Sequence, residues 1–282
     1  MTNIKKRRDS NLELLRIISM CGIISMHYFG MGGAVQNSVF PNFSWFFTHF
    51  INSLAIPLVN GFVLITGYFI VDKQMFSLKK PIELLIITAT YGIISYLVYL
   101  CVGGSSSVKG ALEALFPFII GKRWFVETYI ILILFAPFIN KALSLLNHKQ
   151  YRLLLLLQIV VFCLWYSLGL SAPILDDGYG IINFITLYMI GGYIRYYGED
   201  KLFVWNQSKY LVVFFVCVAT TFLLSYFINP YGYAFITNII GSYSLLSSNN
   251  SYKVSCFQVE TNVAKNTIFF FFLFLNLRIE NA

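Results

Sequence analysis

Leu84-Leu85-Ile86-Ile87-Thr88-Ala89-Thr90-Tyr91-Gly92-Ile93-Ile94-Ser95-Tyr96-Leu97-Val98-Tyr99-Leu100-Cys101-Val102 runs without a charged side chain and approaches the roughly 20 residues with which an α-helix crosses a bilayer. In soluble chains each element keeps its apolar residues to one face, so a run this long reads as a membrane span. Tyr129 to Ile139 has the same character, and so does the chain as a whole. It is 58% apolar and 11% charged, with mean hydropathy +0.72, whereas a soluble domain carries about a quarter charged residues. Within lipid the backbone must satisfy its own polar groups, which leaves helices for runs of this kind.

The expected fold is therefore all-α, a polytopic integral membrane helix bundle of about 8–9 transmembrane helices. Spans are predicted near 12–29, 47–70, 82–102, 124–142, 152–171, 181–197, 209–228 and 233–248, with a last one near 266–277. The segment 111–121 is apolar but too short to cross and contains Pro117, so it reads as a re-entrant or interfacial piece. We read 1–282 as a single transmembrane domain whose end, 246–282, is atypical. Residues 246–266 turn polar and Ser/Asn-rich, and the Phe-rich run after them is marginal for a crossing.

A net charge of +8 raises the question of nucleic acid, but the basic residues lie between apolar runs rather than in a stripe interleaved with aromatics. Topology explains them better, because short cytoplasmic loops accumulate Lys and Arg. With the N-terminus cytoplasmic, that side holds Lys5, Lys6, Arg7, Arg8, Lys73, Lys79, Lys80, Lys141, Lys149, Arg152, Arg195, Lys201, Lys209, Lys253 and Lys265. The outside keeps Lys109, Lys122, Arg123 and Arg278. Lys5-Lys6-Arg7-Arg8 before an apolar stretch resembles a signal peptide, but further spans come after it, so it reads as an uncleaved first helix. The cysteines, Cys21, Cys101, Cys163, Cys217 and Cys256, are scattered with no close pair, so they read as buried free thiols and suggest neither metal nor redox dithiol.

Arg16 and His27 stand out in the first span. Eleven residues apart, they fall on nearly the same helix face, roughly 16 Å apart along the axis. One lies near the cytoplasmic end and the other near the outer end, so together they define a polar track through about half of the hydrocarbon thickness. Ionisable groups in spans usually face the bundle interior or a cavity and are functional candidates by default. The structural alternatives are that Arg16 snorkels and pairs with Glu13, and that His27 is satisfied at the interface. His49, at the outer start of the second span, reads as interfacial, and His148 as a solvated loop residue.

Asn11-Leu12-Glu13-Leu14-Leu15-Arg16, ten residues and then His27 form one motif. Gly61-Phe62-Val63-Leu64-Ile65-Thr66-Gly67-Tyr68-Phe69-Ile70 is a second; Arg123-Trp124-Phe125-Val126 running to Pro137-Phe138-Ile139-Asn140-Lys141, and Tyr188-Met189-Ile190-Gly191-Gly192-Tyr193-Ile194-Arg195, are two more. As a set these resemble the membrane-bound acyltransferase 3 family over most of residues 10 to 245. Similar members O-acetylate cell-surface polysaccharides such as bacterial capsule or O-antigen, with cytoplasmic acetyl-CoA as donor. The resemblance implies a multi-pass protein of the bacterial cytoplasmic membrane, with lipid, acetyl-CoA and a polysaccharide or lipid-linked glycan as partners and no nucleic acid. It makes His27 the catalytic histidine and Arg16 its partner. It also implies that the usual C-terminal end is missing, so an inactive truncated enzyme is one alternative.

The chemistry is consistent with the residues. A sugar hydroxyl attacking a thioester needs a base of near-neutral pKa, which imidazole supplies. Glu127, in the first turn of the fourth span at about the depth of His27, is a candidate to orient the ring and stabilise its cation; the alternative is an interfacial carboxylate paired with Lys122 or Arg123. Trp124 and Arg123 are candidate acceptor contacts, against the ordinary role of Trp at membrane interfaces. Arg16, Lys79 and Lys80 are candidates for the acetyl-CoA phosphates, or the lysines are positive-inside anchors. Lysine keeps the charge but lacks the bidentate fork of the arginines that many relatives carry there. Gly30-Met31-Gly32-Gly33 reads as a loop. The rival class, a transporter or flippase for a polysaccharide precursor, predicts paired halves with broken helices, and no such duplication is apparent.

Overall fold

A run of apolar residues in a low-dielectric surrounding has no partner for its backbone except itself, and the computed structural model obeys that constraint in residues 10–117, 124–170, 177–198 and 205–250, the part it describes. The elements are α1 (Ser10–Met26) continuing into a π turn (His27–Met31), α2 (Ala34–Asn37), α3 (Phe43–Ile70), α4 (Lys79–Cys101), α5 (Val108–Leu115) and α6 (Trp124–Ser144). Next come α7 (His148–Gln158), which passes through a second π turn (Ile159–Leu164) into α8 (Trp165–Ser167), then α9 (Ile181–Tyr197), α10 (Gln207–Leu224) and α11 (Ile236–Asn250).

Among the described residues 6 helices are long and apolar enough to cross a membrane: Asn11–Gly30, Phe43–Ile70, Lys79–Cys101, Trp124–Ser144, His148–Ser167 and Gln207–Leu224. The spans expected at 181–197 and 233–248 are the shorter helices α9, with 17 residues, and α11, with 15. The span expected at 266–277 lies outside the described residues.

The bundle is built around α3. In its most apolar window 78% is buried, against 17% in α4 and in the helix through α7 and α8, so α3 is the axis and those two are outer staves facing lipid. α1, α9, α10 and α11 pack on α3. The α3–α9 crossing is close because glycines meet carbonyls reciprocally: a Cβ at Gly67 would collide with the Tyr188 carbonyl, and one at Gly191 with that of Leu64. Small residues that let helix backbones touch are the usual means of packing in lipid, where apolar surface alone gives little drive. The expected interfacial piece is α5, lying along α4 with Gly92 against the Ala114 carbonyl; it starts earlier than predicted, and 118–121 are outside the described residues.

Two expectations, one about side chains and one about backbone, need correction. Cys163 and Cys217 are buried, but Cys21 and Cys101 sit on the outer surface of the bundle, because a bundle in lipid has no reason to hide a weakly polar thiol; Cys256 lies outside the described residues. The Gly30–Gly33 stretch is a loop only from Gly32. Gly30 and Met31 belong to the π turn, and Gly33, at φ 83°, supplies the left-handed residue that starts α2.

Candidate functional site on the first helix

α1 lies antiparallel to α3, with Gly22 against Leu58, Ser19 against Gly61 and Gly30 against Asn52. Its two ends differ chemically. At the lower end Arg16 is half-buried and its Nη1 is 3.2 Å from Glu13 Oε2, while its guanidinium lies 5.2 Å from the centre of the Phe69 ring. Both the ion pair one turn back and the cation–π contact hold the charge without committing all five N–H donors.

Around that end the chain is clamped. The Asn140 side chain donates to the carbonyls of Ile70 (2.8 Å) and Lys73 (2.6 Å) and accepts from the Tyr188 hydroxyl at 2.7 Å. Tyr196 bonds the Val71 carbonyl, and Arg195 pairs with Asp72 at 3.3 Å. His148 is not a solvated loop residue: it opens α7, its Nε2 lies 2.7 Å from the Tyr193 hydroxyl, and its ring stacks on Tyr197. Lys79 and Lys80 occupy the first turn of α4 at this same end and are exposed, which puts positive charge where an anion arriving from that side meets it.

At the upper end His27 is half-buried and opens the π turn; the Gly32 N–H donates to the His27 carbonyl at 2.8 Å. Such a widened turn inserts one residue into the ladder and re-aims the residues beyond it, and it is common at functional sites. The residue before it, Met26, accepts from the Tyr233 hydroxyl at 3.5 Å. Tyr233 is fixed by its own backbone: its N–H donates to the Asp177 carbonyl at 2.8 Å, and its carbonyl accepts from Asn60 at 2.8 Å.

Trp124 leans on Tyr233, ring centres 5.0 Å apart, and on Tyr179 at 4.6 Å. It is thus one side chain removed from the His27 turn, and part of an aromatic cluster rather than an open stacking platform. Glu127 is half-buried in the first turn of α6, the place expected of it. Arg123 lies outside the described residues.

Three residues of this seam are absent from the candidates that the sequence suggests. Ser19, 0% exposed on the face between Arg16 and His27, has no partner for its hydroxyl among the described residues; its spacing three residues after Arg16 is the available signal. His49 is buried, 7% exposed. α3 starts earlier than expected, and Trp45 stacks on the imidazole at 4.0 Å. His49 Nδ1 lies 3.0 Å from the Trp45 carbonyl and so carries the proton, leaving the lone pair on Nε2. The third is Asn52, one turn further along α3.

An all-helical bundle with spans of membrane length defines an integral membrane protein. The chain matches the model of the acyltransferase domain of the acyltransferase 3 family over residues 9–274. It belongs to that family and is a membrane acyltransferase; the match continues past residue 245, the limit of the resemblance read from the sequence. No curated protein and no solved structure matches the chain.

Proposed function

We propose that the protein transfers an acetyl group from cytoplasmic acetyl-CoA to a hydroxyl of a cell-surface polysaccharide or its lipid-linked precursor, in the bacterial cytoplasmic membrane. The observation that carries this reading is the division of α1: Arg16, paired with Glu13, stands at one end, His27 on a widened turn at the other, and buried Ser19 lies between. Arg16, Lys79 and Lys80 suit the phosphates of the donor. The His27 end suits the acceptor.

His27 takes the proton of the acceptor hydroxyl as its oxygen attacks the thioester carbonyl. The C–S bond breaks, the new C–O ester bond forms, and the imidazolium returns its proton to the departing thiolate. Acetyl ester and free thiol are the products, with no net proton change. In this reading Glu127 stabilises the transient imidazolium, and Trp124 and Arg123 contact the acceptor.

Proton NMR of the cell-surface polysaccharide from wild-type, deletion and His27→Ala strains tests the reading. O-acetyl signals are expected in the wild type alone. Their persistence in the deletion strain removes the proposal for that polymer, and their persistence in His27→Ala alone removes His27 as the base.

A further inference from the structure

Asn52 is 4% exposed, and its Oδ1 has no hydrogen-bond partner among the described residues. Buried carboxamides are bonded as a rule, because an interior of low dielectric penalises an unmade bond heavily. Leucine has nearly the same shape without that penalty. An asparagine here is a defect in stability unless something from outside the chain completes it.

Its head faces the catalytic turn. A Cβ placed on Gly30 would stand 2.9 Å from Asn52 Oδ1, and Gly30 belongs to the π turn that His27 opens. At about 1.5 Å of rise per residue, the carboxamide lies within roughly 5 Å of the His27 level along the axis. Met26 and Gly30 of the first helix stand beside it, and His49 and Ser53 are its near neighbours along α3. Ser53 spends its hydroxyl on the His49 carbonyl, and His49 presents its protonated nitrogen to Trp45, so neither completes Asn52. No carboxylate or permanent cation stands among these neighbours. A carboxamide in such surroundings matches a neutral ligand that both donates and accepts, as a sugar hydroxyl does, whereas the phosphates of the donor match the cationic end of α1.

We propose that Asn52 binds the acceptor: its carboxamide accepts one sugar O–H and donates to a neighbouring sugar oxygen, holding the glycan at the height of the His27 imidazole. This rests on the acyl-transfer reading above and adds to it a residue that recognises the acceptor rather than moving the proton. Gly30 is part of the same device, since any side chain there turns the carboxamide away.

The test uses the full chain in lipid nanodiscs with radiolabelled acetyl-CoA and the methyl glycosides of glucose, galactose and N-acetylglucosamine as acceptor probes. Asn52→Leu and, independently, Gly30→Ala are expected to raise the KM for the labelled glycoside by about tenfold or more, with kcat and the KM for acetyl-CoA moving far less. Asn52→Ser, which keeps a hydroxyl, recovers part of the affinity. The melting temperature of Asn52→Leu stays at or above that of the wild type. A fall in kcat or melting temperature with the glycoside KM unmoved overturns the assignment and makes Asn52 a packing residue. A wild-type protein that labels none of the glycosides overturns the acetyl-to-glycan reading itself, and this inference with it.

Discussion

The two ends of the α1–α3 pair are built on opposite principles. Around Arg16 the polar groups are clamped: Asn140 ties α6 to the end of α3 and to Tyr188, Tyr196 caps Val71, and Arg195 pairs with Asp72. Around His27 the helix widens, and on the facing wall Asn52 keeps an oxygen without a partner among the described residues. Satisfied networks fix a structure, while unsatisfied groups cost stability and are available to a ligand. The contrast teaches that satisfied polar networks are concentrated at the Arg16 end and unmade hydrogen bonds at the His27 end.

The sharpest way to break that contrast is His27→Ala. The rate of acyl transfer is expected to fall by roughly 10²- to 10⁴-fold, the span of general base catalysis, with thermal unfolding in nanodiscs unchanged. A parallel loss of melting temperature would mean that the imidazole is a clamp like those below.

Asn140→Leu should behave in the opposite sense. It strands the Ile70 and Lys73 carbonyls and the Tyr188 hydroxyl, and a destabilisation of about 2–4 kcal/mol is expected by denaturant titration, while turnover per folded molecule changes little. Ser19→Ala is a smaller change. Removing an unpartnered hydroxyl should leave stability level or raise it by less than about 1 kcal/mol, and a fall of a few-fold in turnover marks Ser19 as part of the donor route. Asp72→Asn comes last: the pair with Arg195 is half-exposed, so a loss of at most about 1 kcal/mol, erased in high salt, is expected from the same unfolding assay.

The sequence carried the helices better than their surroundings. The spans expected at 181–197 and 124–142 are α9, Ile181–Tyr197, and α6, Trp124–Ser144, because hydrophobic length is a local property that lipid enforces. Burial was harder. His49 reads as interfacial from its place near a helix start, but Trp45 one turn earlier stacks on its ring and Tyr231, distant in sequence, closes over it. Asn52 was invisible for a related reason: a polar residue in a span looks the same in sequence whether a neighbour satisfies it or not. The π turn was equally hidden, since apolar periodicity does not register one extra residue in the ladder. Arg16 and His27 were legible because an ionisable group in an apolar run is conspicuous, and the pairing of Arg16 with Glu13, its structural alternative, is present together with the contact to Phe69.

The widened turn at His27 is also where the first helix stops being a straight rod. Below it the regular ladder runs unbroken to Arg16; above it the carbonyl of His27 accepts from Gly32, and Gly33 at φ 83° turns the chain into α2. The imidazole therefore stands at the corner where the shaft ends and the chain changes direction toward α3.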